Sequence, residues 1–124
     1  PYDTASLDLV ILPQVFEHMP DPQAILNEAR RVLAPGGHLL ISTRNIDSAY
    51  GEMWRTLESR GQVPNQGPFT PCPAIEVSAW LSSRFDIEEE IGIGTEATGD
   101  ASVLRDESRF GCRLYAARCR RDRT

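Results

Sequence analysis

One stretch constrains this chain more than any other. From Leu7 to Thr43 an apolar run, a punctuated helix, a Pro-Gly-Gly stop and a second apolar run follow in order. The first run, Leu7–Leu12, reads Leu-Asp-Leu-Val-Ile-Leu and is closed by Pro13. It barely alternates, which is the pattern of a strand buried on both faces in a parallel sheet. Asp21 and Pro22 then suit the cap and first position of a helix, where the missing proline N–H would be unpaired anyway. Ile25, Leu26, Ala29, Val32 and Leu33 make one apolar stripe at helical spacing, with Asn27, Glu28, Arg30 and Arg31 elsewhere. Pro35-Gly36-Gly37 stops the helix, because glycine takes a left-handed turn at no steric cost. His38–Thr43 is the second strand. Strand, helix, glycine turn and strand make a right-handed crossover, so the two strands are expected to be parallel neighbours.

The remainder is less sharply punctuated. Ile46–Arg60 reads as a helix capped by Asp47 or Ser48 and ended near Gly61, followed by a Pro-, Gly- and Asn-containing loop over Gln62–Phe69. Thr70-Pro71 repeats the cap-then-proline signal and opens a helix to about Arg84, with Pro73 in its first turn and Ile75, Val77, Trp80 and Leu81 as its apolar residues. Phe85–Ile93 mixes isoleucines with acidic residues, as a half-exposed strand does, and Glu88-Glu89-Glu90 is expected on its wet face. Gly94–Ser108 is polar and turn-rich. Gly111–Cys119 is a last strand, expected to pair antiparallel with Phe85–Ile93, and residues 120–124 are expected to fray.

Composition excludes several classes. The 124 residues make one domain at most, and the formal charge of −5 argues against non-specific nucleic-acid binding. No apolar run is long enough to cross a membrane and no signal peptide opens the chain, so a cytoplasmic protein is expected. Cys72, Cys112 and Cys119 form no C-x-x-C pair and read as reduced, buried thiols. All 13 basic residues are arginine, from which no function follows.

The stretch Leu7–Asn45 resembles the second half of a class I methyltransferase that depends on S-adenosylmethionine (SAM). The resemblance rests on Asp8 in the first strand, Glu17-His18, Asp21-Pro22, Arg31-Val32-Leu33, Pro35-Gly36-Gly37 and Ile41-Ser42-Thr43. It implies an α/β fold, the C-terminal half of a Rossmann-like methyltransferase sheet. In it, two parallel strands with their crossover helix are followed by a helix and a closing antiparallel strand pair. On this reading residues 1–119 are a partial domain. The glycine-rich loop and acidic residue that would hold most of the cofactor lie upstream of Pro1. The chain has no G-x-G-x-G, and Ile91-Gly92-Ile93-Gly94 ends a strand without opening a helix. The absence of an initiator methionine also fits a piece of something longer. The rival readings are a non-catalytic remnant or interaction module, and one subunit of a split enzyme.

The resemblance also distributes roles. Ligand contacts in such a fold lie just past the C-terminal ends of parallel strands. Leu12, Pro13, Gln14 and Val15 would therefore border SAM, or else merely turn the chain. His18 would act as general base on an acceptor hydroxyl, or else hydrogen-bond the loop that starts the next helix. Arg44, Asn45 and Tyr50 would line the pocket of a small-molecule acceptor, with Arg44 pairing an acidic substrate group. Trp54 could line that pocket too, or Tyr50 and Trp54 could instead be core or lid packing and Arg44 simply solvated. Related O-methyltransferases of the ubiquinone pathway carry E-x-x-E-H, whose carboxylates and imidazole can hold a divalent cation. Here the first carboxylate is the amide of Gln14, so no metal is expected. His38 lies at the far end of its strand and cannot join the site.

Overall fold

The computed structural model describes residues 2–14, 18–61, 72–95 and 101–123. Five strands and three helices are placed: β1 (Leu7–Pro13), α1 (Pro22–Val32), β2 (Leu33–Arg44), α2 (Ala49–Ser59), α3 (Ala74–Ser82), β3 (Asp86–Ile93), β4 (Val103–Leu104) and β5 (Leu114–Arg120). The strands form one sheet in the order β1-β2-β5-β3-β4. β1 and β2 are parallel, with Leu9 opposite His38 and Pro13 opposite Ser42. β5 is antiparallel to both β2 and β3 and sits between them. The crossover and the closing antiparallel pair are thus present. The insertion of β5 between β2 and β3, and the short β4, are additions.

Local chemistry sets the boundaries. Asp21 caps α1 by accepting the Ala24 N–H at 3.2 Å, and Pro22 takes the first helical position. The predicted stripe faces inward, with Leu26, Ala29, Val32 and Leu33 buried. The helix stops at Val32, and the Pro-Gly-Gly turn lies within the irregular start of β2, where the register with β1 slips between Leu7 and Leu9. Gly36 adopts φ +84° there, and a Cβ on Gly37 would come within 3.2 Å of the Asp8 carbonyl. Ser48, not Asp47, caps α2, its Oγ accepting the Gly51 N–H at 3.0 Å. Helix α3 opens later than expected: Pro73 is its cap residue rather than part of its first turn. Thr70 and Pro71 lie outside the described residues. Ile75, expected among the apolar residues of this helix, is exposed, while Val77 and Leu81 are fully buried.

The core lies on one face of the sheet only. Leu26, Ala29 and Leu33 meet Leu39, Ile41, Tyr115, Ala117 and Cys119 of the strands, with Ala74, Val77, Leu81 and Phe85 beside them. Val10 and Leu12 of β1 pack against this cluster. The opposite face is open. Leu9 is 48% exposed, Ile11 55% and Leu40 37%. Ile11, Pro13, Leu40, Ile91 and Ala116 line a shallow groove of about 360 Å³ running across β1, β2, β5 and β3. The expectation that β1 is buried on both faces is therefore corrected for this chain: alternate residues of β1 reach the core, and the others reach solvent. Among the described residues β1 pairs with β2 alone, leaving its other edge free.

The C-terminal residues are held more firmly than expected. β5 includes Arg120, and Arg121 exchanges backbone hydrogen bonds with the glycine turn, donating to the Gly37 carbonyl and accepting from Gly36 N–H. Its guanidinium also donates to the Leu33 carbonyl, and Asp122 pairs with Arg30 at 3.2 Å.

Candidate functional site at the carboxyl edge of the parallel strands

Pairing β1 with β2 brings Pro13 and Gln14 against Ser42, Thr43 and Arg44. Pro13 is opposite Ser42, and the Gln14 N–H donates to the Ser42 carbonyl at 2.9 Å. Gln14 adopts φ +51°, a left-handed conformation that is uncommon outside glycine and asparagine. Its side chain is exposed, one residue past the end of β1. Held strain of this kind concentrates at ligand sites, so the outlier singles out Gln14 within the expected contact run.

The other expected residues are placed unevenly. Leu12 sends its side chain into the core, so only its backbone reaches this edge. Val15, Phe16 and Glu17 lie outside the described residues. His18 is half-buried on the segment leading to α1. Arg44, also half-buried, ends β2 opposite Leu114. Tyr50 lies on α2, but its side chain and that of Trp54 are not among those described. His38 is opposite Leu9, with Nε2 3.0 Å from Glu88, away from this edge. Among the described residues no three His, Cys, Asp or Glu side chains converge as metal ligands.

Asn45 requires a correction. It is fully buried, and its side chain has no capacity left for an acceptor. Nδ2 donates to the carbonyls of Phe110 at 2.7 Å and Cys112 at 2.9 Å. Oδ1 accepts the N–H groups of Ala74 at 2.9 Å and Asp47 at 3.2 Å. Two donors and two lone pairs are all that a primary amide offers. Asn45 therefore braces the site and does not line it.

A second polar cluster escaped the sequence reading. Glu90 is not on the wet face. A bulge between Ile87 and Glu89 changes which side of β3 each residue faces, and Glu90 turns toward α3. Its Oε1 accepts from Ser78 Oγ and from Tyr115 OH at 2.5 Å, and Oε2 accepts from Arg109 at 2.9 Å. Burial opposes its charge, but the donations from Ser78, Tyr115 and Arg109 outweigh it and hold the carboxyl below its usual range. Burial, then Glu90, pushes the Tyr115 phenol well above its ordinary value. Glu88 and Glu89 do stay on the open face, where Arg118 reaches both and Arg105 pairs with Glu89. Both oxygens of Glu90 are taken, and the cluster lies on the covered face, so it braces the fold. The groove on the open face is also no ligand cleft in itself. It lies over the sheet face and only its rim, at Pro13 and Ser42, reaches the carboxyl end, outside which ligands in open α/β sheets sit.

The residues present fit part of a SAM molecule. Gln14 offers an exposed amide that can donate and accept, and Pro13 and Ser42 adjoin it beside apolar Ile11 and Leu40. The sequence contains no glycine-rich loop that would cradle the remainder.

Residues 1–41 match the methyltransferase domain family. The chain is 48% identical over 123 residues to a ubiquinone biosynthesis O-methyltransferase of Xanthomonas oryzae pv. oryzae, covering 93% of this chain and 50% of that protein. The chain thus spans about half the length of such relatives. Among solved structures, a SAM-dependent methyltransferase of Thermotoga maritima, described as a possible histamine N-methyltransferase, superposes with a TM-score of 0.75 at 16% identity, covering 98% of this chain and 59% of that one. The N-methyltransferase NodS of Bradyrhizobium japonicum, solved with S-adenosyl-L-homocysteine (SAH), gives 0.59 at 21% identity, covering 97% and 49%. At such identities the structural likeness speaks for the fold alone.

Proposed function

Since this chain belongs to the family of SAM-dependent methyltransferases, we propose that it forms part of an enzyme that moves a methyl group from SAM to a hydroxyl of a small molecule. The observation that carries the reading is the 48% identity, sustained over 93% of the chain, to a ubiquinone biosynthesis O-methyltransferase. Ubiquinone carries methoxy groups on a quinone ring that is aromatic when reduced, so an aryl hydroxyl is the acceptor this likeness favours.

The chain's own residues divide the work. Bound SAM would supply an electrophilic methyl on a sulfonium. The Gln14 amide and the Pro13–Ser42 edge would hold the cofactor's near side. The nucleophile must lie in line with the methyl at near-contact distance, which is a matter of positioning. His18 would take the hydroxyl proton on its imidazole, and Arg44 would hold an acidic group of the acceptor.

The open sheet face supports a further part of the reading, that these residues are the C-terminal portion of a longer methyltransferase domain. Parallel strands are stable when both faces are covered. Here Leu9, Ile11 and Leu40 are left in solvent, and the relatives are twice as long. The missing portion would supply helices for this face and most of the cofactor contacts.

The test is SAH formation by the full-length protein offered catechol or, separately, a primary aryl amine. Methylation of catechol, with kcat reduced about 10²-fold or more in His18→Gln, is the expected result. Transfer to the amine alone would refute the hydroxyl assignment, and failure to bind SAM at all would refute the methyltransferase reading.

A further inference from the structure

Asn45 does more than fill its place. The chain leaves the sheet at Asn45 for α2 and returns to it at α3, and one amide holds both ends of that excursion. On the outgoing side Oδ1 accepts the Asp47 N–H, and the Asn45 carbonyl accepts Ser48 Oγ at 2.6 Å. Ser48 Oγ in turn caps α2 through the Gly51 N–H. A Cβ on Gly51 would lie 2.5 Å from the Asn45 carbonyl oxygen, so the helix start is packed directly onto this residue. On the returning side α3 has no cap from its own cap residue, since Pro73 carries no polar side chain. The orphan N–H of Ala74 is instead taken by Asn45 Oδ1, 29 residues away in sequence. Across the sheet the same amide donates to the Phe110 and Cys112 carbonyls, and the Asn45 N–H donates to Arg113.

We propose that Asn45 is a positioning residue for acceptor recognition: it fixes where α2 leaves the carboxyl edge, next to Arg44, and so sets the acceptor side of the site without touching the acceptor. This rests on the methyl-transfer reading. The cofactor side is held independently, because Gln14 is tied to β2 through the Ser42 carbonyl and not through Asn45. Disturbing Asn45 should therefore separate the two ligands.

The decisive replacement is Asn45→Asp. It keeps the acceptor oxygen for Ala74 and Asp47 but turns both donors toward Phe110 and Cys112 into an oxygen. A milder companion, Ser48→Ala, removes only the links to the Asn45 carbonyl and Gly51. Asp21→Ala, which uncaps the distant α1, controls for general loss of stability. In the full-length enzyme, with catechol as acceptor and SAH as cofactor probe, Asn45→Asp should raise KM for catechol about tenfold and leave the SAH Kd within twofold. Ser48→Ala should move KM in the same direction by a smaller factor, and Asp21→Ala should not move it. Amide exchange at Gly51 should accelerate in Ser48→Ala, which loses the oxygen that takes this N–H. Equal shifts in catechol KM and SAH Kd would reduce Asn45 to a stability role and overturn the proposal, as would an unchanged KM in both variants. A wild-type enzyme that binds SAH but never methylates catechol would instead refute the aryl-hydroxyl reading, and this role with it.

Discussion

The open sheet face leads to a perturbation with opposite signs in two contexts. Leu9, Ile11 and Leu40 are each about half exposed. Complete burial of such a side chain contributes about 1.5–3 kcal/mol. Covering the exposed half of each would then contribute about 1 kcal/mol per residue, or about 3 kcal/mol for the three. Consider the triple replacement Leu9→Thr, Ile11→Thr and Leu40→Thr, which puts a β-branched, strand-compatible side chain at each position. In the full-length protein, where we expect helices to cover this face, it should cost about 3 kcal/mol or more, because threonine hydroxyls would also be buried. In the 124-residue chain alone it removes only solvent-facing hydrocarbon, so it should suppress self-association and dye binding and cost little. The assays are urea denaturation of the full-length protein and sedimentation with 8-anilinonaphthalene-1-sulfonate fluorescence of the isolated chain. A change under 0.5 kcal/mol in the full-length protein would refute the covered-face argument. So would an isolated wild-type chain that stays monomeric and binds no dye.

Three other outcomes follow from contacts described above. Glu90→Gln should destabilise the fold by about 2 kcal/mol at pH 7, since it removes the ionised acceptor and turns one of its two oxygens into an NH2 that cannot accept from the surrounding donors. The Glu90 carboxyl is held below its usual range, so its contribution is complete above the unfolded value of about 4.3 and is lost as pH falls through the lower folded value. The gap between wild type and variant should therefore shrink below about pH 4 in denaturation measured across pH. Gly92→Ala should be among the most damaging single changes, because the new Cβ would sit 2.5 Å from the Arg109 carbonyl oxygen, and far-ultraviolet circular dichroism with thermal melting reads it. All three thiols are buried, and burial, followed by Glu90 and Glu88, pushes the Cys119 thiol up to about 12. A thiol reagent at pH 8 should therefore label the folded protein slowly and take up three equivalents per chain rapidly on unfolding.

The strongly punctuated part of the fold was legible. Asp21-Pro22, the apolar stripe and Pro35-Gly36-Gly37 each have a local physical reason to be where they are, and the structure uses each of them. Helix α3 was misplaced at its start because its cap is not local: the group that satisfies Ala74 comes from Asn45, which no reading of nearby residues could supply. Glu90 was misread for a similar reason. A run of three glutamates looks solvated, and only the one-residue bulge, invisible in the sequence, turns the third toward Ser78 and Tyr115. At the site itself, the position of Pro13 and Gln14 beside Ser42 follows from parallel pairing and was foreseeable. The use of every polar atom of Asn45 depended on Phe110 and Cys112, which arrive from the other end of the chain.

The placement of β5 has a consequence for how such a chain is made. The sheet is not assembled in the order of synthesis: Leu114–Arg120 wedges between β2 and β3, which were translated well before it. Until that segment emerges from the ribosome, the strand pair β1–β2 has no backbone ladder to β3–β4, and two half-sheets wait with open inner borders. A premature stop codon just before Leu114 would therefore not trim a margin. It would remove the seam, and with it any sheet connecting β1 and β2 to the remainder.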